Sequence, residues 1–384
     1  MQSINLDQAS TSFPKAPGVV RAMTDYLIHN GCNIGRGGYS PAYEAGSRVL
    51  EVRAALAGLL GCPKPQQVVF TPGATFSLNL VLKGLLRPGD HALVSSVEHN
   101  AVMRPLTQLA RQGVQWDRVP CDEQGRLEAD RVEAMLRPNT RLVLLTHASN
   151  VCGTILPVAQ VGHLCRQRGI FCVVDAAQTA GILPISLEEM ELDGVAFPGH
   201  KGLLGPQGIG GLALSEPLAQ ALEPLVSGGT GSLSDQEEVP PFLPDRLEPG
   251  TLNLPGILGL GAAVEYLMSL PEDSVRRREE ELTGRLLRGI ASLPGLRLAG
   301  LPGVQGRVGV VSVEFLEMDN AQAAWRLEQE FGILTRVGMH CAPSAHRTLK
   351  TYPQGTVRLS VGHQTTHEEI DRAVEALTQL TKGV

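Results

Sequence analysis

Asp175 closes an apolar run, Ile170 to Val174, and Lys201 follows 26 positions later in Gly199-His200-Lys201-Gly202, just after the apolar Val195-Ala196-Phe197. A carboxylate and a primary amine at two such run ends answer the two demands of pyridoxal phosphate. An acid on the pyridinium nitrogen keeps the ring electron-withdrawing, and a lysine holds the aldehyde as a Schiff base and later moves a proton. Asp175 and Lys201 are assigned these parts, with Gln178 set to bond the ring hydroxyl. Gly73, Ala74 and Thr75 follow the run Val68-Val69-Phe70, where helix-start amides and a hydroxyl suit a phosphate. His99, in Ser95-Ser96-Val97-Glu98-His99-Asn100, lies beyond another run, where an imidazole stacks on a cofactor ring. Taken singly, each of these residues reads as an ordinary cap or surface pair. Their joint occurrence at successive run ends points to one site.

The elements that must position them are legible as short buried strands: Val68 to Phe70, His91 to Ser95, Leu142 to Leu145 and Ile170 to Val174. Between them, Leu127 to Leu136 and Val158 to Arg168 carry apolar residues at helical spacing. Alternation of this kind predicts a parallel α/β sheet whose ligand collects outside the carboxyl ends of the strands. Beyond Pro249-Gly250 the pattern changes to a helix near Ile257 to Met268, a charged helix over Ser274 to Ile290 and a strand over Gly309 to Phe315. A final helix opens on the capping box Thr366-His367-Glu368-Glu369. The division expected is an N-terminal segment, 1–20, packed with the small domain, a large domain over 21–255 and a small C-terminal domain over 256–384.

The 384 residues, 43% hydrophobic and 19% charged with a net charge of -6, suit two globular domains and offer no basic, aromatic-interleaved stretch for nucleic acid. No run is long and apolar enough for a membrane span, and the first residues lack a leader's basic and apolar regions, so a cytoplasmic setting is the expectation. The seven cysteines form no Cys-x-x-Cys pair, which indicates neither a disulfide framework nor a metal site. A small-molecule partner is the expectation.

The chain resembles the class V aminotransferases, and within them the SufS-like cysteine desulfurase and selenocysteine lyase branch, over nearly its whole length. The motifs, in order, are Asn5-Leu6-Asp7-Gln8-Ala9-Ser10-Thr11, Asn33-Ile34-Gly35-Arg36-Gly37, Thr71-Pro72-Gly73-Ala74-Thr75, Glu98-His99-Asn100, Ser149-Asn150-Val151-Cys152-Gly153, Asp175-Ala176-Ala177-Gln178 and, most specific, Gly199 to Gly208. The resemblance implies fold type I, aspartate-aminotransferase-like, with a mainly parallel seven-stranded sheet in the large domain and a smaller α+β domain. It implies a homodimer in which Gly228-Gly229-Thr230 reaches the partner's phosphate. Residue by residue it implies Lys201 as Schiff base, Asp175 and Gln178 on the ring, His99 stacked on it, and Thr75 and His200 on phosphate. Asn150 lies near the ring hydroxyl and substrate, Arg358 grips the substrate carboxylate as a bidentate guanidinium can, and Ala9 and Arg336 belong to the substrate side. Pro198 departs from the family's usual Ser or Thr, removing a hydroxyl and an amide from the phosphate cup.

Arg336-Val337-Gly338-Met339-His340-Cys341-Ala342 resembles the segment that presents a nucleophilic cysteine in the same branch. Cys341 is therefore the expected persulfide carrier in the conversion of L-cysteine to L-alanine, with His340 and Arg336 as neighbours able to favour the thiolate, and a small sulfur-carrier protein as acceptor. A buried, inert Cys341 is the alternative for that residue. Selenocysteine lysis, another β-elimination or transamination on the same scaffold, and a non-catalytic cofactor-binding or sulfur-relay protein, are the alternatives for the whole chain.

Overall fold

A computed structural model describes residues 3–35 and 37–382; Arg36 of the second motif and the outermost residues of both termini lie outside the described residues. In chain order come β1 (Ile4–Asn5), α1 (Val19–His29), α2 (Ser40–Leu59), β2 (Val68–Thr71), α3 (Ala74–Leu85), β3 (His91–Ser95), α4 (Asn100–Ala110), β4 (Gln115–Val119), α5 (Ala129–Ala134), β5 (Thr140–Thr146), α6 (Val158–Arg168), β6 (Phe171–Asp175), β7 (Gly194–Pro198), β8 (Gly210–Leu214) and α7 (Glu216–Ala221). There follow α8 (Leu254–Ser269), α9 (Ser274–Ile290), β9 (Leu296–Ala299), β10 (Val310–Phe315), α10 (Asn320–Phe331), β11 (Ile333–Leu334), β12 (Arg336–Gly338), α11 (Pro343–Thr348), β13 (Thr356–Ser360) and α12 (His367–Lys382).

The large sheet has seven strands in the order β2-β8-β7-β6-β5-β3-β4, with β8 antiparallel to both its neighbours and the other pairs parallel. Its strands are apolar almost without interruption because helices cover both faces. Leu93, Val143, Leu145, Val174 and Val195 point into one core and Val94, Leu142, Leu144, Val173 and Ala196 into the other, the period of two that a strand imposes. The small domain has a four-stranded antiparallel sheet, β12-β13-β10-β9, backed by α9 and α12 through Leu282, Leu286, Ile370, Ala373 and Leu377.

Packing redraws the expected domain edges. The helix α8, assigned by its sequence position to the small domain, buries Ile257, Leu260, Ala263 and Val264 in the large-domain core beside Val52 and Leu56 of α2. The small domain's core begins with α9. The N-terminal segment is shared: Ile4 and Leu6 pack in the small-domain core, and β1 pairs with β11, whereas Ala16 and Val19 belong to the large one. The helix expected over Leu127 to Leu136 is confined to α5. No single helix among the described residues is long and apolar enough to cross a membrane.

Candidate active site

Strands β5, β6 and β7 end side by side, in register from Thr146 to Asp175 to Ala196, and the chain beyond each end lines a cavity of about 550 Å³. Gly73, Ala74 and Thr75 come from the turn into α3, His99 from the start of α4, Asn150 from beyond β5, Asp175 and Gln178 from β6 and its exit, and His200 and Lys201 from the turn after β7. Nine residues expected from the sequence thus share one space, with Pro198 also in its wall.

Asp175 ends β6, 3% exposed, and its Oδ1 accepts the Ala177 amide at 2.9 Å. Burial pushes its carboxyl pKa up, opposed by the Ala177 amide and by Lys201. The half-buried Lys201 amine is brought down to about 8, chiefly by burial; Asp175 opposes the shift, while Arg358 and Arg336 reinforce it. A lysine held there has a substantial free-base fraction near neutrality. His99 caps α4 through Nδ1, which accepts the Ala101 amide at 3.0 Å and leaves the neutral ring's proton on Nε2. Burial, with Lys201 and Arg336 adding to it, lowers His99 to about 4, so the ring stays neutral.

The anion end of the cavity is equally specific. Gly73 takes a φ of 149°, on the side of the backbone map that favours glycine, and α3 starts there without a side-chain cap. The first-turn amides of a helix have no carbonyl a turn earlier, so these amides need an acceptor. The buried Nδ1 of His200 has no hydrogen-bond partner. His200 is itself fixed through its carbonyl, which accepts the Ser12 amide at 2.9 Å and the Lys15 ammonium at 3.2 Å. An uncapped helix start facing an unpartnered ring nitrogen fits a phosphate, and Asp175 with Lys201 fits a pyridine ring and its aldehyde.

A second layer links this cavity to the small domain. Arg358, on β13 and 1% exposed, donates to Asp7 Oδ1 and Ser10 Oγ, both at 2.8 Å, and to the Asn150 carbonyl at 3.1 Å. The arginine read from sequence as a carboxylate grip therefore already holds a carboxylate, Asp7, with its Nε unpartnered. Arg336 is more open and donates to Ser10 Oγ at 3.0 Å. Ala9 lies in an adjoining small cavity that shares Lys201 and Gln178 with the first, and its carbonyl accepts Gln178 Nε2 at 3.3 Å.

Cys341 is exposed. Its carbonyl accepts the Asn100 amide at 2.7 Å, and the preceding carbonyl, of His340, accepts Asn150 Nδ2 at 2.7 Å. Both residues take left-handed backbone angles, φ 46° and 57°, which turn the two side chains apart. Arg336 Nη2 reaches the Cys341 sulfur at 3.8 Å. His340, expected as a second neighbour of the thiol, is instead buried at 3% exposure, with Nε2 on Thr356 Oγ1 at 3.0 Å and its ring 5.5 Å from that of His346. Thr230 lies apart from the Lys201 cavity, in a surface pocket with Gly35, Gly231 and Ser232. Sequence reasoning gave no role to Asp7, Ser10 or Asn100; all three stood in quoted motifs, but nothing in one dimension shows that the first two meet Arg358 or that Asn100 holds the Cys341 carbonyl.

The fold and the cavity define an α/β enzyme dependent on pyridoxal phosphate. The chain belongs to the class-V aminotransferase family, whose model matches residues 4–373, a family dependent on that cofactor. It is 35% identical over 381 residues to a protein of Methanothermobacter thermautotrophicus named "Probable cysteine desulfurase", covering 98% of this chain and 94% of the relative. It is 33% identical to a cysteine desulfurase of Escherichia coli strain SE11, covering 98% and 92%. Among solved structures, an apo cysteine desulfurase from Thermococcus onnurineus superposes with a TM-score of 0.93 at 30% identity, covering 100% of this chain and 95% of the other.

Proposed function

We propose that the protein is a cysteine desulfurase, converting L-cysteine to L-alanine and leaving the sulfur as a persulfide on Cys341. The observation that carries this reading is an exposed thiol with a guanidinium on its sulfur, on a backbone segment whose carbonyls are held by the Asn100 amide and by Asn150, a residue of the Lys201 cavity wall. Pyridoxal phosphate supplies the aldehyde that engages the substrate amine and the ring that withdraws electrons from its Cα. Asp175 and Gln178 would hold the ring, His99 would cover its face, and Gly73, Ala74, Thr75 and His200 would take the phosphate, with Thr230 completing that cup from a second copy. Asn150 would serve the ring hydroxyl. Lys201, as free amine, removes the Cα proton and returns it. Arg358 orients the substrate carboxylate, with Arg336 and Ala9 on the same side. The Cys341 thiolate attacks the substrate sulfur: an S–S bond forms as the Cβ–S bond breaks, its electron pair stays on Cβ, and that carbon takes up a proton.

A homodimer follows from this reading and is supported by surface chemistry. Val20, Leu27 and Ile28 on α1 and Tyr43 and Leu50 on α2 are all at least half exposed, an apolar face unusual for a monomer. Seven free thiols suit a reducing, cytoplasmic setting. The deciding experiment supplies the purified protein with pyridoxal phosphate, L-cysteine and a reductant and follows alanine and sulfide. Equal yields of the two, lost in Lys201→Ala, are expected; a coloured protein that makes no alanine would refute the desulfurase assignment.

A further inference from the structure

Exposed cations stand on the elements tied to the Cys341 segment. Arg104 lies one turn along α4 from Asn100, whose amide holds the Cys341 carbonyl, and so shares its helix face. Arg347 lies in the last turn of α11, the short helix that begins two residues after Cys341, roughly 6 Å along its axis from Pro343. The neighbouring Thr348 bonds Ser96 Oγ at 2.9 Å, and Ser96 Oγ in turn accepts the Cys121 amide at 3.0 Å, which brings the end of β4 and its Arg118 to the same surface. Arg118 and Arg347 are close enough to act electrostatically on each other. Arg104, Arg118, Arg347 and Lys350 are all exposed, and among the described residues none has a carboxylate partner. The nearby carboxylates Asp117 and Glu314 are already engaged, by Arg137 and Arg297. Two of the arginines are backed by aromatic rings, Arg347 at 4.4 Å over Tyr352 and Arg118 at 4.7 Å over Trp116. Tyr352 is itself 48% exposed. Unpaired guanidinium groups stiffened by aromatic rings are the side chains that dominate protein interfaces, and the chain's net charge of -6 makes this concentration of cations a local feature.

We propose that this surface is a docking site for an acceptor protein whose thiol is set among acidic side chains, so that charge selects which thiol receives sulfur from Cys341. The proposal rests on Cys341 as persulfide carrier. In the transfer the acceptor thiolate attacks the outer sulfur of Cys341–S–SH; a new S–S bond forms on the acceptor, the S–S bond to Cys341 breaks, and its electron pair leaves on Cys341 as thiolate. One persulfide and one thiol become one thiol and one persulfide, with no oxidant or reductant consumed.

Two synthetic peptides test it, each with one cysteine, one flanked by Glu and Asp and the other by Lys and Arg. Holoenzyme is loaded with L-cysteine and desalted, and sulfane sulfur arriving on each peptide is followed at low and high salt. Electrostatic steering predicts about a tenfold faster transfer to the acidic peptide at low salt, falling toward parity at high salt. The double variant Arg118→Gln/Arg347→Gln loses the preference while its alanine yield with the neutral thiol 2-mercaptoethanol is unchanged. Binding of the acidic peptide with Ser in place of Cys, read by fluorescence anisotropy, examines the surface without chemistry and is expected to weaken severalfold in the same variant. Equal rates for the two peptides at low salt, or a preference that survives the double variant, overturns the docking proposal alone. Absence of sulfane sulfur on Cys341 after loading overturns the persulfide reading instead, and the anisotropy result then decides the surface by itself.

Discussion

Burial, Arg358 and Arg336 depress the Lys201 pKa, while two carboxylates, Asp175 and to a lesser extent Asp7, support its charge. A free lysine would capture an aldehyde poorly at neutral pH because almost all of it is protonated. In the apo-protein the rate of pyridoxal phosphate capture is therefore expected to rise with an apparent pKa of about 8; a midpoint near that of ordinary lysine would refute the electrostatic account. The thiol is a separate test. Cys341→Ala is expected to keep the cofactor content of the parent and to lose alanine formation by roughly a hundredfold or more, measured under cysteine saturation. A variant that kept full desulfuration would remove Cys341 from the chemistry. Of the two neighbours assigned to the thiol from sequence, only Arg336 touches it; side-chain direction at residues 340 and 341 is set by consecutive left-handed backbone angles, which no local pattern announced.

Among the elements, those with strong periodicity and clear ends were readable. The helices α6 and α9 span the residues expected, Val158–Arg168 and Ser274–Ile290, the first stopped by Gly169 at φ 65°. The capping box of α12 is formed, with Thr366 N donating to Glu369 Oε2 at 2.8 Å and Glu369 N to Thr366 Oγ1 at 3.2 Å. Thr366→Ala should cost about 1 kcal/mol in urea unfolding. By contrast the buried pair of Arg53 on α2 with Glu248, which also accepts the Phe70 amide of β2, is invisible in sequence across its long separation. Arg53→Ala strands the carboxylate and is expected to cost about 3–5 kcal/mol by the same measurement. Two buried acids each contribute a pH dependence of known sign. Burial raises Glu98 and Glu279 to about 8 each, Glu98 despite hydrogen bonds from Ser95 and the Thr146 amide, so the folded state holds protons that the unfolded chain releases. Their contribution is complete below the ordinary carboxylate range and is lost as pH rises toward 8. Lys201, lowered to about 8, acts oppositely above that pH in the apo-protein. Four histidines that burial lowers to about 4, His99, His147, His200 and His346, act the other way between that pH and the ordinary imidazole range, so the test is differential: the thermal midpoint of the parent minus that of Glu279→Gln should fall between pH 5 and 8, and a difference that stays constant would show that Glu279 is ionised in the fold.

At the scale of the molecule, two domains meet over the site, and Asp7, Ser10, Arg336, Arg358 and Asn150 form the seam between them. The seam ties the Cys341 segment to Asn100 and to Asn150, a residue of the Lys201 cavity wall, so loss of this contact and loss of activity should travel together. The apolar faces of α1 and α2 lead to an expected dimer in sedimentation, and Leu27→Asp is expected to shift it toward monomer and to release pyridoxal phosphate more readily, because Thr230 would no longer be supplied by a second copy. A monomeric parent that retains its cofactor would refute both parts.

By itself the sequence determined the strand ends and what stands on them. Short apolar runs must be buried on both sides, parallel strands must end on one edge, and so Thr75, His99, Asp175 and Lys201 had to face a common space. Which core a helix joins was decided only by packing: α8, seamlessly apolar, fits either domain by composition and is held in the large one by α1 and α2. The same holds for the pairing of Arg358 with Asp7, the turning of His340 away from Cys341 and the reach of Arg336 to the thiol. These depend on side chains meeting from distant parts of the chain, and contacts of that range are fixed by the tertiary structure rather than by any spacing along the sequence.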